Sequence, residues 1–224
     1  YVPAPHSIHR DIFKLEPGMA LTVQAKDITA HRLPEPEIWW SVADAARAGL
    51  RDPIEDEAEA LPALEAALND AVAGQMLADV PLGAFLSGGV DSSTIVALMQ
   101  AQSSRPVKTF TIGFDEKAYD ESPHAAAVAR HLGTDHHEMR VSATDAQAVI
   151  PELPFLYDEP FADSSQIPTF LVCRAARSKA AVALSGDGGD ELFGGYNRYF
   201  WAQRIWNRVG WMPFPIRRAA GRGI

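Results

Sequence analysis

"VPLGAFLSGGVDSSTIVALMQ", residues 80–100, decides the fold. Its first half is a short apolar run that ends in Ser87-Gly88-Gly89. A run of that length stopped by glycine reads as a buried strand of a parallel sheet. Its second half, from Asp91 onward, reads as the helix that follows. Glycines between strand and helix let the backbone turn tightly and approach a ligand. Successive N–H groups then point into one concavity, and the helix N-terminus adds about half a positive charge. Ser87, Ser92 and Ser93 add hydroxyl donors. Together these make a cradle for phosphate, although a glycine turn with an Asp or Ser cap would use the same letters.

Two familiar phosphate loops are excluded. GxxxxGK[ST] needs a lysine that is absent, and GxGxxG does not fit. Asp91 is the informative residue. A carboxylate beside a phosphate repels it unless a cation lies between them. Asp91 therefore points to Mg²⁺, a hard ion that takes carboxylate and phosphate oxygens together.

Outward from this stretch, strands alternate with helices. Residues 52–79 have helical spacing, with Leu61, Leu64, Leu68 and Val72 recurring every three or four positions. "VKTFTIGF" (107–114) is a second strand and "ESPHAAAVARHLG" (121–133) a helix stopped by glycine. "HHEMRVS" (136–142) is a third strand, two helical patterns follow, and "AAVALSG" (180–186) is a fourth strand. Such alternation predicts an α/β fold, a parallel sheet with helices on both faces. Sheets of this kind bind ligands beyond the carboxyl ends of their strands. Two of those ends are polar and glycine-rich: Ser87-Gly88-Gly89 and Ser185-Gly186-Asp187-Gly188-Gly189-Asp190.

Composition narrows the function class. The 224 residues carry a formal net charge of −9, so no basic field is offered to nucleic acid or an anionic membrane. No apolar run is long enough to span a bilayer. The single cysteine, Cys173, cannot form an internal disulfide and reads as a small core residue of an apolar helix. With no leader pattern either, a cytoplasmic protein is expected. His131, His136, His137 and Glu138 look like a metal cluster, but adjacent residues of a strand face opposite sides, so no metal site is expected there.

"SGGVDSS" after a hydrophobic strand resembles the pyrophosphate loop of the N-type ATP pyrophosphatases, whose fold is adenine nucleotide alpha hydrolase-like. "YDEPFADSSQIPTFLVCRAA" (157–176) and "LSGDGGDELFGGYNRY" (184–199) resemble glutamine-hydrolysing asparagine synthetase. "YVPAPHSIHRDIFKLEPGMAL" resembles the last strand-turn segment of that enzyme's glutaminase domain. The resemblance implies that residues 1–40 are the tail of that domain plus the "LPEPE" linker. It also implies that 41–224 are the ATP-pyrophosphatase synthetase domain, cut short at its C-terminus. Tyr1 in place of methionine and the tryptophan-rich end, Trp201, Trp206 and Trp211, fit a piece of something longer. That apolar end would let the piece self-associate, and a homodimer is one assembly it allows.

The implied reaction has two steps. The β-carboxylate of aspartate attacks the α-phosphorus of ATP, giving β-aspartyl-AMP and pyrophosphate. Ammonia, drawn from glutamine by a missing N-terminal domain, then displaces AMP and gives asparagine. By resemblance, Ser87, Gly88, Gly89, Asp91, Ser92 and Ser93 hold pyrophosphate, and Asp91 and Asp190 hold Mg²⁺. Leu86, Ile112, Gly113, Ser185 and Gly186 line the adenine slot. Asp187 takes a proton from the attacking ammonia, at a position where some family members have glutamate. Asp158, Glu159, Asp163, Ser164 and Ser165 are candidates for the amino-acid pocket. The resemblance also implies a later lysine that nothing after Tyr199 matches, so this chain alone is expected to be inactive. Two other readings compete: a related amidotransferase or β-lactam-synthetase-like enzyme that adenylates another carboxylate, and an ATP-binding module without turnover.

Overall fold

The structure is a computed structural model that describes residues 2–116 and 120–221; Tyr1 and Ile224, where the chain begins and ends, lie outside them. The chain divides into two compact units, residues 1–70 with 143–169, and residues 71–142 with 170–224.

The first unit opens with strand β1 (Met19–Ala20), helix α1 (Ala25–Thr29) and strand β2 (Glu37–Ile38). The predicted Pro17-Gly18 turn forms, and Gly18 takes φ 75°, a value glycine adopts without strain. It leads directly into β1, which pairs antiparallel with β2, Met19 opposite Ile38, and Gly18 O accepts from Trp39 N–H at 3.0 Å. Glu37, read as the end of the linker, is thus already in a strand. Helix α2 (Val42–Arg51) begins at Ser41, whose hydroxyl accepts from Asp44 N–H at 3.3 Å. Helix α3 (Glu57–Gln75) follows the predicted Ala/Leu/Glu-rich stretch. Of its apolar stripe only Val72 is buried, while Leu61 and Leu64 remain exposed. Helix α6 (Ala143–Val149) and the short helix α7 (Leu153–Leu156) also belong to this unit.

The second unit holds the predicted sheet. Strands β3 (Leu82–Phe85), β4 (Lys108–Phe114), β5 (Asp135–Val141) and β6 (Val182–Leu184) are all parallel, in the order β5-β4-β3-β6. Helix α4 (Val90–Gln102) joins β3 to β4, α5 (Ser122–Leu132) joins β4 to β5, and α8 (Gln166–Ala176) precedes β6. One face of the sheet packs Ala84 against Val96 and Met99 of α4 and Ala125 and Ala129 of α5. The other packs Phe85 and Phe110 against Val172 and Ala176 of α8. Phe110 is fully buried and contributes about 1.5–3 kcal/mol of apolar transfer energy.

Cys173 departs from its expected place in the core and is exposed. Helix α8 turns Leu171, Val172 and Ala176 inward, and Cys173 falls on its outer side. Three short helices end the chain: α9 (Gly189–Phe193), α10 (Asn197–Val209) and α11 (Phe214–Ala220). Trp201, Trp206 and Trp211 are exposed, as their spacing between arginines suggests. Among the described residues no helix is long and apolar enough to cross a membrane.

Candidate active site at the strand ends

The chain builds β3, then β4 and β5 to one side, and returns to place β6 on the other side of β3. Strand order therefore reverses between β3 and β6, and a crevice opens outside their carboxyl ends. The two glycine-rich stretches follow those two strands. Leu86 is buried and its N–H donates to Phe110 O at 2.9 Å, which fixes the root of the first loop.

Beyond Leu86 the loop is organised by its own serines. Ser87 N–H donates to Ser92 Oγ at 3.2 Å, the two hydroxyl oxygens lie 2.9 Å apart, and Gly89 N–H donates to Ser87 Oγ at 3.2 Å. Gly88 has φ 84°, and a Cβ there would stand 2.7 Å from Ala125 N, so α5 abuts the loop. Helix α4 starts at Gly89 with no side-chain cap, which leaves first-turn N–H groups for a ligand. The Ser93 hydroxyl is buried and has no hydrogen-bond partner among the described residues. An orphaned buried hydroxyl costs free energy unless something outside the chain satisfies it. Phosphate oxygens suit that role, so the residues present fit the group the sequence points to.

The second loop touches the first. A Cβ on Gly186 would stand 2.7 Å from Ser92 N, and one on Gly189 would stand 2.5 Å from Asp91 Cγ. Only glycine allows this approach, and it brings the Asp91 carboxylate against the backbone that leads to Asp190. The Asp190 side chain itself lies against Gly195. Asp187 is exposed beside the crevice, its N–H donating to Ser185 Oγ at 3.2 Å. Glu191 accepts from Tyr196 Oη at 2.8 Å, which pushes the Tyr196 phenol pKa up, and the Arg198 guanidinium lies 3.9 Å over the Tyr196 ring. Among the described residues no three His, Cys, Asp or Glu side chains gather as a protein-only metal cage. An ion held between two carboxylates and phosphate needs none.

Ile112 and Gly113 lie at the end of β4, Ile112 half-buried and Gly113 buried. What sequence reasoning missed is the cluster around Gly113. A Cβ there would stand 2.7 Å from Arg140 Nη1, 2.8 Å from Ser122 Oγ and 3.0 Å from Glu138 Oε1. Arg140 is opposite Gly113 in the β4–β5 register. It donates to Asp120 Oδ2 at 3.0 Å and to Phe114 O at 2.9 Å. The hydrogen bond from Ser122, with Arg140 adding to it, holds the Asp120 carboxyl below its usual range. The available signal was strand alternation, which puts Glu138 and Arg140 on one face.

His136 and His137 border the same cavity but take different partners. His136 Nδ1 is 2.9 Å from Thr109 Oγ1, and burial lowers its pKa. His137 stacks on Phe110 with ring centroids 5.5 Å apart. A cavity of about 540 Å³ lies beside His137, Arg174 and Lys179, flanking the middle of β4 and β5 rather than the strand ends.

The amino-acid pocket candidates belong to the first unit. Glu159 is ion-paired with Lys14 and accepts from Ile8 N–H at 3.3 Å. Asp163 accepts from Ser165 N–H at 2.8 Å, just before α8, and that bond lowers its pKa. Asp158 directly precedes Glu159, and Ser164 directly follows Asp163.

The sequence is similar to those of known proteins. The family described as asparagine synthase matches residues 63–223. A putative asparagine synthetase [glutamine-hydrolyzing] 2 of Methanocaldococcus jannaschii is 38% identical over 199 residues, covering 88% of this chain and 36% of that protein. A putative asparagine synthetase [glutamine-hydrolyzing] of Mycobacterium tuberculosis is 38% identical over 99% of this chain and 33% of its own length. Asparagine synthetase [glutamine-hydrolyzing] 1 of Bacillus subtilis is 34% identical over 89% of this chain and 30% of its length. A solved NH3-dependent NAD synthetase from Campylobacter jejuni is 15% identical over 61% of this chain and 60% of its own. Its TM-score of 0.42 is too low to carry an argument. A parallel α/β sheet with two glycine-rich strand ends at its switch point defines the class, an α/β domain with a candidate ligand site at those ends. The chain belongs to the asparagine synthase family. It spans about a third of the length of the curated relatives it matches.

Proposed function

We propose that this chain carries the site at which ATP activates the β-carboxylate of aspartate for amidation to asparagine. One observation carries the reading: two glycine-rich strand ends meet at the switch point, Gly186 against Ser92 and Gly189 against Asp91. In this reading the Ser87–Ser93 loop binds the departing pyrophosphate. The adenine lies against Leu86, Ile112, Gly113, Ser185 and Gly186. Asp91 and Asp190 hold Mg²⁺, which when bound neutralises charge on the phosphates. Asp187 accepts a proton from ammonia as it attacks the acyl carbon of β-aspartyl-AMP, and AMP leaves. Asp158, Asp163, Ser164 and Ser165 remain the candidates for aspartate recognition, with Glu159 already answered by Lys14. Residues 1–40 are the end of a glutaminase domain in this reading, and 41–224 belong to the synthetase domain. A cytoplasmic homodimer fed with ammonia from glutamine is part of the same proposal.

The test is ATP–pyrophosphate exchange in the full gene product with each amino acid in turn. Stimulation by aspartate supports the reading. Stimulation by a different carboxylate assigns the related amidotransferase or β-lactam-synthetase-like chemistry instead. Tight ATP binding with no exchange under any carboxylate assigns a binding module.

A further inference from the structure

The cluster around Gly113 ties together two parts of the molecule that the proposed nucleotide site uses separately. On one side, Arg140 Nη2 donates to Phe114 O, and its guanidinium lies against Gly113, at the end of the strand that carries Ile112. On the other side, Arg140 Nη1 donates to Asp120 Oδ2 at 3.0 Å. Asp120 in turn accepts from Ser122 N–H at 3.2 Å and from Ser122 Oγ at 2.7 Å, which secures the first turn of α5. That turn continues to His124 and Ala125, whose backbone presses on Gly88 of the phosphate loop. One guanidinium therefore links the β4 end to the phosphate loop through the start of α5. Its planar fork suits this work, since two of its nitrogens reach two acceptors on different elements at once.

We infer that Arg140 is a positioning residue that sets the spacing between the adenine side and the phosphate side of the site, without touching nucleotide. The inference rests on the ATP reading given above. ATP must engage both sides at once, whereas AMP and pyrophosphate each lean mainly on one. A fixed spacing makes the second contact intramolecular, and a loose one loses that advantage while each half-site stays intact. Arg140 is half exposed, and exposed ion pairs add little to stability, so loss of the clamp acts on spacing more than on folding.

The experiment compares wild type with Arg140→Met, measuring Kd for ATP, AMP and pyrophosphate in Mg²⁺, and Tm. The expected result is an ATP Kd raised about 10-fold, with AMP and pyrophosphate each changed by less than about 2-fold. Arg140→Lys should fail to restore ATP affinity, because an ammonium offers a point charge in place of a fork. An unchanged ATP Kd overturns the inference. So does a parallel weakening of all three ligands with a fall in Tm, which is the signature of a merely structural residue. If Arg140→Met does not fold, Asp120→Asn decides. It removes the carboxylate to which Arg140 Nη1 donates, and the same split between ATP and its two parts is expected; a uniform change overturns the inference. Wild type that binds neither ATP nor pyrophosphate overturns the function reading and this inference with it.

Discussion

The loop after β3 and the acidic stretch 158–165 are both rich in Asp, Glu and Ser, yet they treat their polar groups in opposite ways. In the acidic stretch the groups satisfy each other or a near neighbour: Glu159 with Lys14 and Ile8 N–H, Asp163 with Ser165 N–H. In the loop after β3, the Ser93 hydroxyl is buried without a partner among the described residues, and α4 begins without a side-chain cap. A segment that only holds a fold closes its own hydrogen bonds. A segment that binds a polar ligand keeps some open, because a buried unpaired group is tolerated when a ligand completes it.

The comparison breaks most sharply at Asp187, the exposed carboxylate after β6. Asp187→Asn in the full gene product should lower asparagine formation by about 100-fold or more, the scale of general-base catalysis, with ATP affinity retained. Steady-state turnover with ammonium as nitrogen source checks this; near-normal turnover would make Asp187 a turn residue.

Next in size is Ser93→Ala. Loss of one hydrogen bond to a charged group should weaken pyrophosphate binding by about 10-fold or more. The same change should leave Tm unaltered or slightly raised, since no partner among the described residues loses a bond. Calorimetric titration and thermal melts check the pair of outcomes. Weakened stability with unchanged pyrophosphate affinity would put the loop and the acidic stretch in the same structural class.

The smallest effect belongs to the acidic stretch. Asp163→Ala removes the hydrogen bond from Ser165 N–H and should lower Tm by about 2–4 °C, without altering ATP affinity. The depressed pKa of Asp163 gives this contribution a pH sign. It is present above the ordinary carboxylate range and is lost as pH falls through the folded-state value. The Tm difference between wild type and variant should therefore close on acidification; a gap that persists would remove this bond from the account.

The sheet was legible because its strands are short apolar runs punctuated by glycine, and all four formed within a few residues of their expected ends. The site's glycines were legible for the same reason. Gly186 and Gly189 mark where one backbone must pass close to Asp91. The Arg140 clamp was not legible, because its partners Asp120, Ser122 and Phe114 converge only through the β4–β5 register. Cys173 was misplaced because an apolar helical pattern does not say which residues turn inward when the helix covers only a narrow sheet. The pairing of Glu159 with Lys14 spans 145 residues of sequence and carries no local signal.

The central claim is that the ends of β3 and β6 form one nucleotide site completed by a cation. Titration of ATP into the protein with and without Mg²⁺, for wild type, Asp91→Asn and Asp190→Asn, tests it most directly. Two carboxylates facing phosphates repel them unless a cation intervenes. The account therefore predicts wild-type binding that strengthens with Mg²⁺, and a gain that shrinks in both variants at unchanged Tm. Binding that is equally tight without Mg²⁺, or a Mg²⁺ gain that neither substitution alters, would contradict it.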